Sequence, residues 1–68
     1  MSENEQTKKI LEALRRNTGR ELFTKEIAEL AHLSPSTAAK YLSLLEKDRV
    51  VSMREQKPFK FWRLKGEI

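Results

Sequence analysis

One short stretch carries the side chains best able to do chemistry with another molecule. Ser34, Ser36, Thr37, Ala39, Lys40 and Ser43 are small, hydroxylated or basic, and Lys47 follows a turn later. At about 100° per residue, Ser36, Ala39, Lys40, Ser43 and Lys47 share one face of a helix, with no acid among them. Such a face can approach another backbone closely and offer donors to acceptors. The opposite face bears Ala38, Tyr41, Leu42 and Leu45, an apolar stripe at helical spacing. Ser34 is a natural N-cap, since its hydroxyl can accept from the free N–H groups of the first turn. Pro35 suits the first helical position, where no donor is needed. The sequence therefore predicts a helix over Ser34–Asp48, gripped on one side and presented on the other. Periodicity alone is equally compatible with an ordinary amphipathic helix whose back is solvated.

The charge distribution singles out a second region. The 68 residues carry a net charge of +4. Residues 49–68 hold Arg49, Arg54, Lys57, Lys60, Arg63 and Lys65 against only Glu55 and Glu67. The rest of the chain is close to balanced, so the whole excess sits in this last stretch and favours an anionic partner.

Other chemistries find little support. The chain has one histidine and no cysteine, too few ligands for a metal site and none for a disulfide. With His32 in a turn, no serine–histidine–acid arrangement is suggested. Gly19 and Gly66 are the only glycines, so there is no glycine-rich phosphate loop. An enzyme is not expected, nor a cofactor, nor a small-molecule ligand. No apolar run approaches the length of a membrane span, and the start shows no signal-peptide pattern.

The remaining elements must position these residues. Ser2-Glu3-Asn4-Glu5 matches a capping box and predicts a helix from about Glu3 to Asn17. Its buried stripe is Ile10, Leu11 and Leu14, with Thr7 and Ala13 at the margins. Lys8, Lys9, Arg15 and Arg16 lie on a solvated face. Gly19 suits a left-handed position past the helix end. Glu21-Leu22-Phe23 is a turn or a small strand, with Leu22 or Phe23 plugging the core. Thr24 is expected to cap a short helix over Lys25–Ala31, with Ile27, Ala28, Leu30 and Ala31 inward. His32-Leu33 forms the next turn, and histidine tolerates the left-handed backbone such a turn can need.

After Asp48 the hydrophobic period changes from helical to alternating. Val50–Glu55 and Phe59–Leu64 read as two strands around a Gln56-Lys57-Pro58 turn, a hairpin with a basic tip. Val51 and Met53 should share the core face with Trp62 and Leu64. Phe59 and Phe61 then fall on the outer face, partly exposed, as core or as a dimer patch. Nothing marks a linker, a repeat or a second domain, so residues 1–68 form one domain.

The order of helix, short helix, tight turn, capped helix and basic hairpin resembles the winged helix-turn-helix family of DNA-binding domains. The likeness rests on Thr24-Lys25-Glu26-Ile27-Ala28, Leu33-Ser34, Thr37-Ala38, Leu42, Leu45-Glu46 and Val50-Val51, and covers nearly the whole chain. It implies an α+β fold of three helices plus a C-terminal two-stranded wing. It also implies a cytoplasmic, nucleoid-associated bacterial or archaeal transcriptional regulator of double-stranded DNA. Ser34–Asp48 would be the recognition helix and Gln56–Lys60 the wing tip. The DNA-binding set is then Lys25, Ser34, Ser36, Thr37, Ala39, Lys40 and Ser43, with Arg54, Lys57 and Lys60 from the hairpin.

Some residues depart from the family pattern. Arg49 stands where a glycine usually follows the recognition helix, so the helix exit is either strained or differently shaped. His32 replaces the turn glycine. Ala39 and Ser43 occupy the positions where domains that bind left-handed DNA carry Asn and Tyr, which argues against that subfamily. No effector domain and no long dimerisation helix fall within these residues. Two other roles fit the same features: a sequence-indifferent DNA-coating protein of the nucleoid, and a protein-interaction module in a larger machine. A homodimer, or side-by-side binding on DNA through the first helix or the Phe59/Phe61 face, is expected from the small footprint of one module.

Overall fold

Helix α1 (Glu5–Arg16) begins at Asn4, whose side-chain oxygen accepts from the Thr7 N–H at 2.8 Å. The structure is a computed structural model that describes residues 4–65. The Ser2 half of the expected capping box lies outside them, and Asn4 is the observed cap. Ile10, Leu11, Ala13 and Leu14 are buried. Ala13 goes fully inside because α1 packs on both other helices and on the sheet. The helix closes through side chains. Asn17 Nδ2 donates to the Ala13 carbonyl at 2.9 Å and Thr18 Oγ1 to the Arg15 carbonyl at 2.6 Å, satisfying carbonyls the last turn leaves open. Gly19, at φ 88°, turns the chain as expected.

Next come strand β1 (Leu22–Phe23) and helix α2 (Thr24–Ala31). Leu22 is the core plug. The cap of α2 differs from expectation. Phe23 holds the N-cap position and Thr24 is the first helical residue. The Glu26 carboxylate accepts from the Phe23 N–H at 3.1 Å, while the Thr24 hydroxyl accepts from the Trp62 indole at 2.9 Å. Thr24 is thus occupied by a tertiary contact, and the acid three residues past the cap does the local work. Leu30 is also placed differently, 51% exposed. It lies about 60° outside the arc that Ile27, Ala31 and Ala28 bury, at 100° per residue.

Helices α2 and α3 (Pro35–Lys47) end alike. His32 (φ 59°) and Arg49 (φ 63°) both adopt the left-handed conformation. In each case the following N–H reaches back into the last turn: Leu33 to the Ala28 carbonyl at 2.8 Å and Val50 to the Leu45 carbonyl at 2.9 Å. This is the closing motif that ordinarily selects glycine. The residue replacing the expected glycine after α3 therefore keeps the glycine geometry and bears its strain.

Strands β2 (Val51–Gln56) and β3 (Phe59–Leu64) form the hairpin, one residue later at its start than expected. The sheet is antiparallel with order β1-β3-β2, so β3 is central. Leu22 pairs with Trp62 and Phe23 with Phe61. Val51 pairs with Leu64 and Met53 with Trp62, which sets these four on the inner face as anticipated. Ile10, Leu22, Ile27, Leu42 and Val51, with Trp62, fill the space between helices and sheet.

Candidate nucleic-acid interface

The N-terminus of α3 gathers three hydroxyls. Ser34 Oγ accepts from the Thr37 N–H at 3.2 Å and donates to Thr37 Oγ1 at 2.9 Å, and Ser36 Oγ stands 3.4 Å from Ser34 Oγ. The Ser34 hydroxyl is thus committed to the cap. Ser36 remains for an approaching anion, with its hydroxyl and its N–H, at the positive end of the helix dipole, since Pro35 has no N–H and the Thr37 N–H is taken by the cap.

Packing decides which face of α3 is presented. Ala38, Leu42 and Leu45 are buried, and Tyr41 is half-buried against the same core. Ser36, Lys40, Ser43 and Lys47 are exposed, and Ala39 is half-exposed between them. The Lys40 ammonium lies 5.5 Å from the centroid of the Tyr41 ring. A cation held over a ring keeps its charge available outward. Tyr41 was legible as a core residue but not as the support of Lys40, because neighbours in sequence do not face each other on an ideal helix.

Lys25 stands exposed in the first turn of α2. Lys57 and Lys60 are exposed at the hairpin tip, with Lys60 opposite Glu55 in register. Arg54 has a different setting. Its Nη2 donates to Glu21 Oε1 at 2.7 Å and its Nε to the same carboxylate at 3.0 and 3.2 Å. Its Nη1 donates to Gln56 Oε1 at 2.9 Å, and the guanidinium lies 4.9 Å from the Phe61 centroid. The hydrogen bond from Arg54 holds the Glu21 carboxyl below the usual range, helped by the charges of Arg54 and Arg63. Arg54 is raised in turn by Glu21. Sequence reasoning missed this pair because its members are 33 residues apart and meet only through the β1–β3 pairing.

The site is therefore a protruding helix and a basic hairpin, a surface and not a cavity. Two open hollows run along α1 and α2, lined by residues such as Glu12, Arg16 and Leu30, and include none of the residues above. Among the described residues no cluster of histidine or acids could hold a metal ion. No helix there is long and apolar enough to cross a membrane.

A profile of winged helix-turn-helix DNA-binding domains matches residues 3–52, from α1 into β2. The chain belongs to the winged helix-turn-helix DNA-binding family. The hairpin β2–β3 is the C-terminal wing of this fold. The PcaV transcriptional regulator from Streptomyces coelicolor, solved in complex with its natural ligand, has a similar fold, with a TM-score of 0.79 at 22% identity. The alignment covers 97% of this chain and 47% of that one, so this winged helix spans about half the length of that regulator. No curated protein sequence matches the chain.

Proposed function

We propose that this winged helix regulates transcription by binding double-stranded DNA, with α3 in the major groove and the tip of the wing on the adjacent backbone. The observation that carries the reading is the split of α3 into a buried face (Ala38, Leu42, Leu45) and an exposed face of small and basic residues (Ser36, Lys40, Ser43, Lys47). A helix of this kind fits the major groove and reads base edges from its N-terminal half. Lys40 reaches a guanine edge or a phosphate. Ser36 meets phosphate through its hydroxyl and its amide, with Thr37, Lys25 and Ser34 beside it, and Ala39 and Ser43 permit close approach. On the wing, Lys57 and Lys60 are the backbone contacts, and Arg54 contributes mainly by ordering the sheet. A single module covers about 600–1,000 Å² on DNA, so two copies share each site. The protein works in the cytoplasm, on the nucleoid.

The test is fluorescence anisotropy with labelled promoter and scrambled duplexes across a potassium chloride series. Affinity falls as salt rises, by about 0.9 in log K per unit of log salt for each phosphate contact. Promoter DNA is preferred, and sedimentation of the complex gives two copies per site. Equal affinity for all duplexes assigns a coating role instead. Failure to bind any duplex at low salt assigns a protein-interaction role and overturns the reading.

A further inference from the structure

The outer face of the sheet carries an aromatic cluster that duplex binding does not use. The Phe23 and Phe59 centroids lie 5.5 Å apart, edge to face, and Phe23 and Phe61 6.2 Å apart in the same manner. Phe59 and Phe61 are 6.4 Å apart. Phe23 and Phe61 are half-buried within the cluster, whereas Phe59, within the wing tip, is 50% exposed. Arg54 lies over Phe61 and keeps about half its side chain exposed while Glu21 and Gln56 hold it in place. Two flat groups, the Phe59 ring and the Arg54 guanidinium, thus share one face of the sheet, 6.4 Å and 4.9 Å from the Phe61 ring, and each is about half exposed.

We propose that this face binds unpaired nucleobases of single-stranded nucleic acid by stacking on Phe59 and Arg54. Bases stack on aromatic rings and on arginine planes, and every base has a π-face. The surrounding charge suits a phosphate backbone. Arg54 and Arg63 share this face, Lys57 adjoins it at the tip, and Glu21, already bound to Arg54, is its acid. The same charges argue against a second copy as occupant, because a twofold pairing would set these cations against their equivalents. The Phe59 ring packs on Phe23 and Phe61 and still leaves half its surface to solvent, which is the area a stacked base covers. The inference goes beyond duplex binding and does not require it.

The test uses the full chain and labelled single strands of about 16 nucleotides: oligothymidylate, oligouridylate, and an abasic strand with the same phosphates. A duplex is the parallel arm. The wild type binds both pyrimidine strands more tightly than the abasic one, and the ratio of the two shows whether DNA or RNA is preferred. Phe59→Ala weakens single-strand binding roughly 5- to 150-fold, well beyond any loss in duplex binding, whose contacts at the tip come from Lys57 and Lys60. Phe59→Trp restores the affinity, and Phe59→Leu, apolar but without a π-face, does not. Leu30→Ala, which removes an equally exposed side chain from α2, changes nothing. Circular dichroism confirms that each variant folds. Equal affinity for abasic and thymidylate strands overturns the proposal without any variant. So does a dimer in sedimentation that Phe59→Ala dissolves, which would make the face a self-association surface. Duplex binding without single-strand binding defeats this inference and leaves the duplex reading standing.

Discussion

Trp62 donates its indole N–H to the hydroxyl of Thr24 at 2.9 Å, tying the central strand of the sheet to the first residue of α2. Trp62 is 2% exposed, so its N–H depends on that acceptor. Thr24→Val keeps the shape and removes the acceptor. A buried donor left unsatisfied costs about 1–3 kcal/mol. Urea unfolding should show a stability lowered by that amount for Thr24→Val, seen as a lower midpoint at unchanged m, and little changed for Thr24→Ser. Equal midpoints for Val and wild type would remove Thr24 from the account of the fold.

Arg49 makes an opposite prediction. Its side chain is exposed, and its φ of 63° strains any residue with a Cβ. Arg49→Gly relieves that strain and loses some of the gain to the entropy of a freer unfolded chain, for a net stabilisation of about 0.5–1 kcal/mol. Arg49→Ala removes the same charge and keeps the strain, so it should not stabilise. A rise in the thermal midpoint for both variants would assign the effect to charge.

Glu21 gives the fold an acid-sensitive contact. Its carboxyl titrates below the ordinary value of 4.5 in the folded protein, chiefly because Arg54 donates to it. A depressed folded-state value means stability that is present above pH 4.5 and is lost as pH falls through the folded value. The wild type should therefore exceed Glu21→Gln in thermal midpoint at neutral pH, with the gap closing below about pH 4. The pair is solvent-exposed, so the effect is small and shrinks with added salt. A gap that stays constant down to pH 2–3 would show that the ion pair does not carry it.

Lys40 and Lys57 should separate reading from holding. Lys57→Ala at the wing tip should weaken all duplexes alike and flatten the salt dependence by about 0.9 in the log–log slope. Lys40→Ala should reduce the preference for the favoured site by about 1–3 kcal/mol. Paired titrations on specific and scrambled duplexes measure both quantities. Identical behaviour of the two variants would place α3 outside the groove.

What the sequence revealed was local, and what it hid was tertiary. The cap at Ser34, Pro35 at the helix start, and the buried trio Ala38, Leu42 and Leu45 depend on spacing within one turn or a few. So do the left-handed His32 and the alternation that turns Trp62 inward and Phe61 outward. A hydroxyl before a helix reads as a cap, whereas the partner that engages Thr24 lies 38 residues away. Arg54 looked like a free wing cation because nothing local announces Glu21. The short α2 has too few turns for spacing to fix its buried arc, so Leu30 reads as inward although it is exposed. Leu22 and Phe23 were too short a run to show whether they formed a strand. Their pairing to the sheet depends on Phe61 and Trp62.

The sheet narrows from three strands to two along its length. β1 meets β3 only at Phe61 and Trp62, whereas Lys60 and Phe59 are paired by β2 alone. The far end of the hairpin is therefore a ribbon whose length is independent of the core. Adding two residues to each arm would carry the tip outward by about 7 Å and keep every side chain on its own face. Adding one to each arm would invert the faces of the tip relative to the base. The geometry thus makes wing span an adjustable ruler, graduated in pairs of residues, by which this scaffold could be refitted to a different distance between groove and backbone while Leu22, Trp62 and the helices stay as they are.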